Sequence, residues 1–293
     1  MSPKKIIALI VLLFGIASLS SFGQVIGGSS QSSSVNTPRD DIYDHIHTDY
    51  KRPIPYSYLR QADVVYSKRI WQIIDFREKM NQAFYYPLQE HLRWKNFITI
   101  VMEAIRAGEL TAYDAFYGDE FTTPMSISAV EEDLRGIEVV TPQFDENDVY
   151  IGDTITYRGI FDPAEVKKLK IKEVWYFDKQ RSQLKVRVLG LCPVWEYFDP
   201  DTQRPISKDM FWIYFPEARK VLSRAEVFNR KNGAERRTYD DIFWKRMFSS
   251  YIYKEENVYD RNINQYATGM EALLESERIK NEIFEVEEQM WEY

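Results

Sequence analysis

Between Lys170 and Leu191 the chain reads KIKEVWYFDKQRSQLKVRVLGL, two apolar runs separated by a polar turn. Strand side chains alternate between faces, so Ile171, Trp175 and Phe177 oppose Lys172, Val174 and Tyr176 in the first run. Leu184, Val186 and Val188 alternate with Lys185 and Arg187 in the second. This is the pattern of an antiparallel hairpin, and it commits the middle of the chain to sheet. A third strand is expected at DMFWIYF. Pro216 then starts a helical turn, and Asn232-Gly233 marks a tight turn.

The flanks read as helical. From Arg60 to Met80, Ala62, Tyr66, Ile70, Ile73 and Ile74 fall on one stripe and predict a long first helix. Arg77 intrudes on that stripe, so its guanidinium calls for a carboxylate. Pro87 opens a second helix whose buried side is Phe97, Ile98, Val101 and Ile105, with Gly108 as its C-cap. In SAVEEDLRG, Ser128 and Glu131 have capping-box spacing and Gly136 stops the helix. Thr238 with Asp241 caps a helix through DIFWKRMFSSYIYKEENVYDR. On that helix Phe243, Trp244, Met247, Phe248, Tyr251 and Ile252 would cover roughly 180°, wider than the stripe of about 100° that one contact hides. Met270 to Tyr293 reads as a long acidic helix. The expected class is α+β, an antiparallel sheet with helices packed before and after it in sequence.

The start of the chain carries a different signal. Lys4 and Lys5 precede an apolar run from Ile6 to Ala17, and the small Ser21 and Gly23 suit cleavage before Gln24. That is a secretory signal peptide, too short in its apolar run for a membrane span. No cysteine lies near the cleavage point to take a lipid. The expected organisation is a signal peptide over 1–23, a flexible Ser/Gly-rich linker over 24–40, an α+β domain over 41–265 and an acidic helical tail over 266–293. At the domain's start, Pro53 and Pro55 forbid a helix and favour an extended arm lying on another surface.

Chemistry is mostly sought without result. Cys192, the only cysteine, lies in an apolar strand and reads as a small buried hydrophobe, so packing must supply the stability. His45 and His47 stand on one side of an extended DHIH, but a closed metal site needs four ligands and the neighbourhood does not provide them. DENDVY, from Asp145, matches a calcium loop at its first positions and then fails where Val149 and Tyr150 stand. No nucleophile-elbow, zinc-protease or phosphate-loop motif occurs. No cofactor, metal ligand or catalytic residue is therefore assigned. A net charge of −7 argues against nucleic acid as a partner. The alternative to a non-enzymatic protein is a periplasmic hydrolase with an unrecognised acid pair or a His45/His47 metal.

Surfaces carry the remaining signal. Aromatic residues make up 15% of the chain, which allows a large core and a contact surface beside it. Lys168, Lys170 and Lys172 share one face of their strand, with Arg230, Lys231, Arg236 and Arg237 further on. Against them stand Glu271, Glu275, Glu277, Glu282, Glu285, Glu287 and Glu288 of the acidic helix. Both sets also read as ordinary solvated faces. The residues singled out for partner contact are Phe243, Trp244, Phe248, Lys168, Lys170 and Lys172.

Two segments, RPIPYSYLRQADVVYSKRIWQIIDFREKMNQAFYYP (Arg52 to Pro87) and DDIFWKRMFSSYIYKEENVYDR (Asp240 to Arg261), resemble the GldN/PorN family of Bacteroidota. The hairpin followed by GLCPVWEYFDP fits the same pattern. The resemblance implies a component of the type IX secretion and gliding-motility machinery, periplasmic and associated with the inner face of the outer membrane. It further implies assembly into rings with a GldK/PorK-like outer-membrane lipoprotein, contact with a GldM/PorM-like motor subunit, and self-association. It brings no catalytic residue.

Overall fold

The computed structural model describes residues 46–90, 93–134, 137–144, 150–158, 161–198 and 204–291. The chain divides into two units, Met1–Ile46 and His47–Tyr293, and the description below concerns the second. The expected signal peptide and linker lie outside the described residues, as do His45, His91, Gly136 and the first five residues of DENDVY.

In chain order the helices are α1 (Ile46–Asp49), α2 (Gln82–Tyr85), α3 (Phe97–Arg106), α4 (Ile127–Leu134), α5 (Phe215–Leu222), α6 (Tyr239–Trp244) and α7 (Met270–Trp291). The strands are β1 (Val64–Asp75), β2 (Ala112–Asp114), β3 (Pro124–Met125), β4 (Ile137–Phe144), β5 (Tyr150–Arg158), β6 (Val166–Asp178), β7 (Gln183–Phe198), β8 (Pro205–Asp209), β9 (Phe211–Tyr214) and β10 (Tyr251–Glu255). Eight of them form one sheet in the order β10-β1-β6-β7-β9-β2-β3, with β8 beside β7, while β4 and β5 pair separately. All the pairings are antiparallel. The fold is α+β, as the alternation around the hairpin implies. That hairpin is the spine of the sheet, pairing Asp178 with Gln183 at its turn and Val166 with Trp195 at its far end.

The first predicted helix is a strand. Arg60 to Met80 forms a short 3-10 turn and then β1, twelve residues long, paired with β6 from Val64 to Asp75. The error has a plain cause. Residues four apart share a face in a helix and also in a strand, so Ala62, Tyr66, Ile70 and Ile74 satisfy both periods. β-Branched Val64, Val65, Ile70, Ile73 and Ile74 favour the strand. Arg77 does not intrude on a stripe; it lies beyond β1, exposed, with its guanidinium on Asp75 at 2.6 Å.

Ile74, Leu169, Ile171 and Leu191 line one face of the sheet, where α3, α5 and α6 cover them. On α3, Phe97, Ile98, Val101 and Ile105 are buried as its period predicts. Asn96 caps it by accepting from Thr99 N at 2.8 Å, and Gly108 closes its end at φ +72°, where a side chain would be strained. Ser126, not Ser128, starts α4, with its hydroxyl accepting from Ala129 N. Phe84 is the hub of an aromatic cluster, with Phe243 at 5.4 Å, Phe76 at 5.6 Å and Phe97 at 5.8 Å between ring centres. A second cluster on the sheet joins Ile70 and Ile252 to Ile279 and Ile283 of α7. There Ser276 accepts from Ile252 N at 3.0 Å and so satisfies an amide of the edge strand β10.

The aromatic stretch is not one helix either. Its Thr238–Asp241 capping box is present, but α6 ends at Trp244, and Tyr251–Glu255 forms β10. Arg246 stands at φ +51°, unusual for a residue with a side chain. Its guanidinium reaches the fully buried Glu173 at 2.5 Å and lies over the rings of Trp175 and Phe248. Glu173 also accepts from Gln72 and Trp175, at 3.1 and 3.0 Å. Satisfying that carboxylate ends the helix.

Candidate assembly surface

The other face of the sheet is built differently. Strand pairing sets Trp71 beside Lys172 and Gly190, and Ile73 beside Lys170 and Cys192. Trp71, Cys192 and Trp212 cluster there with Tyr113, Phe121 and Tyr253, and no helix residue joins them. Phe121, in the β2–β3 loop, lays its ring on Gly190 so closely that a β-carbon at that position would collide with it. Burial pushes the Cys192 thiol and the Tyr253 phenol up, so neither ionises near neutrality.

The three lysines singled out from sequence share this face, but their charges are met within the chain. Lys168 pairs with Glu196 at 2.5 Å, Lys170 with Asp209 at 2.6 Å and Lys172 with Asp119 at 3.1 Å. Lys172 also stacks over Trp71 and Phe121, and Lys170 over Tyr253. Trp71 Nε1 donates to the same Asp119 carboxylate. The face is a layer of aromatic rings and compensated ion pairs rather than a bare basic strip. Lys172→Glu would set a nearly buried carboxylate against Asp119 and should cost on the order of 3 kcal/mol. Lys168→Ala should cost about 1 kcal/mol or less, since its pair is only half-buried. Urea unfolding of the two variants checks this, and a wild-type midpoint for Lys172→Glu would rule out the pairing.

The aromatic residues singled out divide by burial. Phe243 is 2% and Phe248 8% exposed, whereas Trp244 is 43% exposed. Trp244 meets the N-terminal arm, which after the short helix α1 forms neither helix nor strand from Lys51 to Arg60. Tyr56 stacks on Trp244 at 5.5 Å, and the Arg219 guanidinium lies 4.5 Å from the Tyr56 ring centre and 4.8 Å from that of Trp244. Arg219 is itself buried and forks onto Asp240 at 2.8 and 3.3 Å. The arm is fastened further by Thr48 on Glu226 at 2.5 Å, by Lys51 on Asp241, and by Ser223 donating to Lys51 O. Burial would push the Asp241 carboxyl up, but the bonds from Lys51 and Thr238 more than offset this and hold it below the usual range.

Sequence reasoning passed over two exposed loop tips. Phe116 and Tyr117 are 89% and 68% exposed beside the ring-lined face, and Val258 and Tyr259 are 97% and 73% exposed after β10. Lone apolar residues at turns carry no period, so nothing in the sequence marked them. Among the described residues no three His, Cys, Asp or Glu side chains gather as metal ligands, and His47 is exposed. No described helix is long and apolar enough to cross a membrane.

A family model described as "Gliding motility associated protein GldN" matches residues 59–292, from the end of the arm through α7. The chain belongs to the GldN family. A comparison with curated proteins finds no match. The GldN match takes in the whole sheet, the ring-lined face and the acidic helix, so these are features of a gliding-motility-associated chain. The arm's contacts through Thr48, Lys51 and Tyr56 precede the span matched to GldN.

Proposed function

We propose that this chain is a non-enzymatic structural subunit of the periplasmic ring complex of the type IX secretion and gliding machinery. It assembles with copies of itself, with a GldK/PorK-like outer-membrane lipoprotein and with the periplasmic part of a GldM/PorM-like motor subunit. The observation that carries the reading is the GldN match over residues 59–292. The surface supports it: one sheet face is clad by helices, while the other presents rings and compensated ion pairs flanked by exposed Phe116 and Tyr117. Exposed rings such as Phe116 and Tyr117 suit a protein contact, to which they would supply area.

The test is purification of the tagged chain from fractionated cells. We expect a processed chain beginning at or near Gln24, found in the periplasm or with outer membranes, and recovered with the lipoprotein and the motor subunit. An unprocessed chain confined to the inner membrane, recovered without either partner, would refute the reading.

A further inference from the structure

Among the described residues many charges are met within the chain, but those of two clusters largely are not. After Lys280 the sequence holds Glu282, Glu285, Glu287, Glu288 and Glu292 and no lysine or arginine. Carboxylates at a helix C-terminus oppose the helix dipole, and Glu285 and Glu288, three apart, repel each other. Arg278 is already committed to Glu275 and Glu282, and no ion pair joins Glu285, Glu287 or Glu288 to another described residue. Beside them Phe284 is 59% exposed on α7. By itself this helix end is electrostatically unfavourable and incompletely covered.

The opposite case lies between α5 and α6. Residues 220–237 contain six cations and two carboxylates. Glu226 is taken by Arg93 and Glu235 by Arg237, while Lys220, Arg224, Arg230, Lys231 and Arg236 are exposed and form no ion pair with a described residue. Phe228 is half-exposed among them, edge-on to Trp94. The two patches belong to different packing clusters: α7 sits on Ile70 and Ile252, whereas this segment is rooted by Leu222, Val227 and Tyr239 in the main core.

One chain thus carries two separate patches of opposite sign, each with an exposed ring. Like-with-like pairing of either patch is repulsive. When only one such pair of patches meets between two identical chains, the contact is heterologous, the kind that propagates into a ring. We infer that the acidic end of α7 on one copy docks against the cationic α5–α6 segment of the next. The inference rests on the reading of the chain as a self-associating subunit. The β6 lysines cannot play this part, because their charges are already met. Charge steers and orients the contact, and the Phe284 and Phe228 rings provide area at its centre.

The test uses full-length chains with two different tags, made together in cells that assemble the machinery, one carrying Glu288→Cys and the other Arg230→Cys. Cys192 is buried and does not interfere. We expect a disulfide-linked pair bearing both tags, at least about tenfold more abundant than pairs formed by either variant with itself. Glu285→Lys with Glu288→Lys should lower co-purification of differently tagged copies about tenfold, and adding Arg230→Glu with Arg236→Glu to the same chain should restore it. Copies that co-purify without preference for the mixed disulfide, or without response to the reversals, would overturn this contact and leave the ring reading intact. Differently tagged wild-type copies that never co-purify would overturn the ring reading, and this inference with it.

Discussion

Phe243→Ala should destabilise the chain by about 3–5 kcal/mol, and Trp244→Ala, one position on, by only about 1 kcal/mol. The contrast comes from burial. The Phe243 ring is 2% exposed and contacts Phe84, Phe97, Phe215 and Phe248, with ring centres 5.2 to 6.0 Å apart. Removing it leaves a cavity that four surrounding rings cannot fill without leaving their rotamers. Trp244 covers one side of Tyr56 and Arg219 and faces water on the other, so its loss opens the arm's seat rather than the core. Urea midpoints for the two variants, with the slope unchanged, give the comparison directly. Equal losses, or a larger loss for Trp244→Ala, would show that Trp244 is packed as deeply as Phe243.

Asp240→Ala should also cost about 3–5 kcal/mol, because it leaves the Arg219 guanidinium buried with its charge unmet. Arg219 and Asp240 are each 4% exposed, and the pair lies beneath Tyr56 of the arm. Desolvating two charges is offset only while both are present in forked geometry. The double variant Arg219→Met, Asp240→Leu should therefore recover most of the loss while still removing the cation beneath Tyr56. In the double variant trypsin should cut sooner after Lys51, since the arm has lost the cation stacked on Tyr56. A wild-type unfolding midpoint for Asp240→Ala would show that Arg219 is not held by this carboxylate. A double variant no more stable than Asp240→Ala would show that packing, not charge, sets the cost.

What the sequence by itself determined is local. The β6–β7 hairpin follows from alternation across a polar turn, α3 from its period and Gly108, and the start of α6 from a capping box only four residues long. The prolines of the arm excluded a helix from Lys51 to Arg60, though Ile46–Asp49 before them is helical, and the acidic helix expected over Met270 to Tyr293 is α7. Each of these depends on neighbours within a few positions. Tertiary structure decided the rest. The spacing from Ala62 to Ile74 fits both a helix and a strand, and β6, about a hundred residues on, chose the strand by pairing along its length. α6 stops at Trp244 because Arg246 turns to a carboxylate buried in β6, a demand that is invisible in the residues around it. The lysines of β6 read as a basic strip because their partners lie elsewhere in the chain, Asp209 39 residues from Lys170 and Asp119 53 residues from Lys172. Charge in a sequence is a count, whereas charge at a surface is what folding leaves uncompensated. Among the described residues, two clusters of that remainder lie at the end of α7 and between α5 and α6.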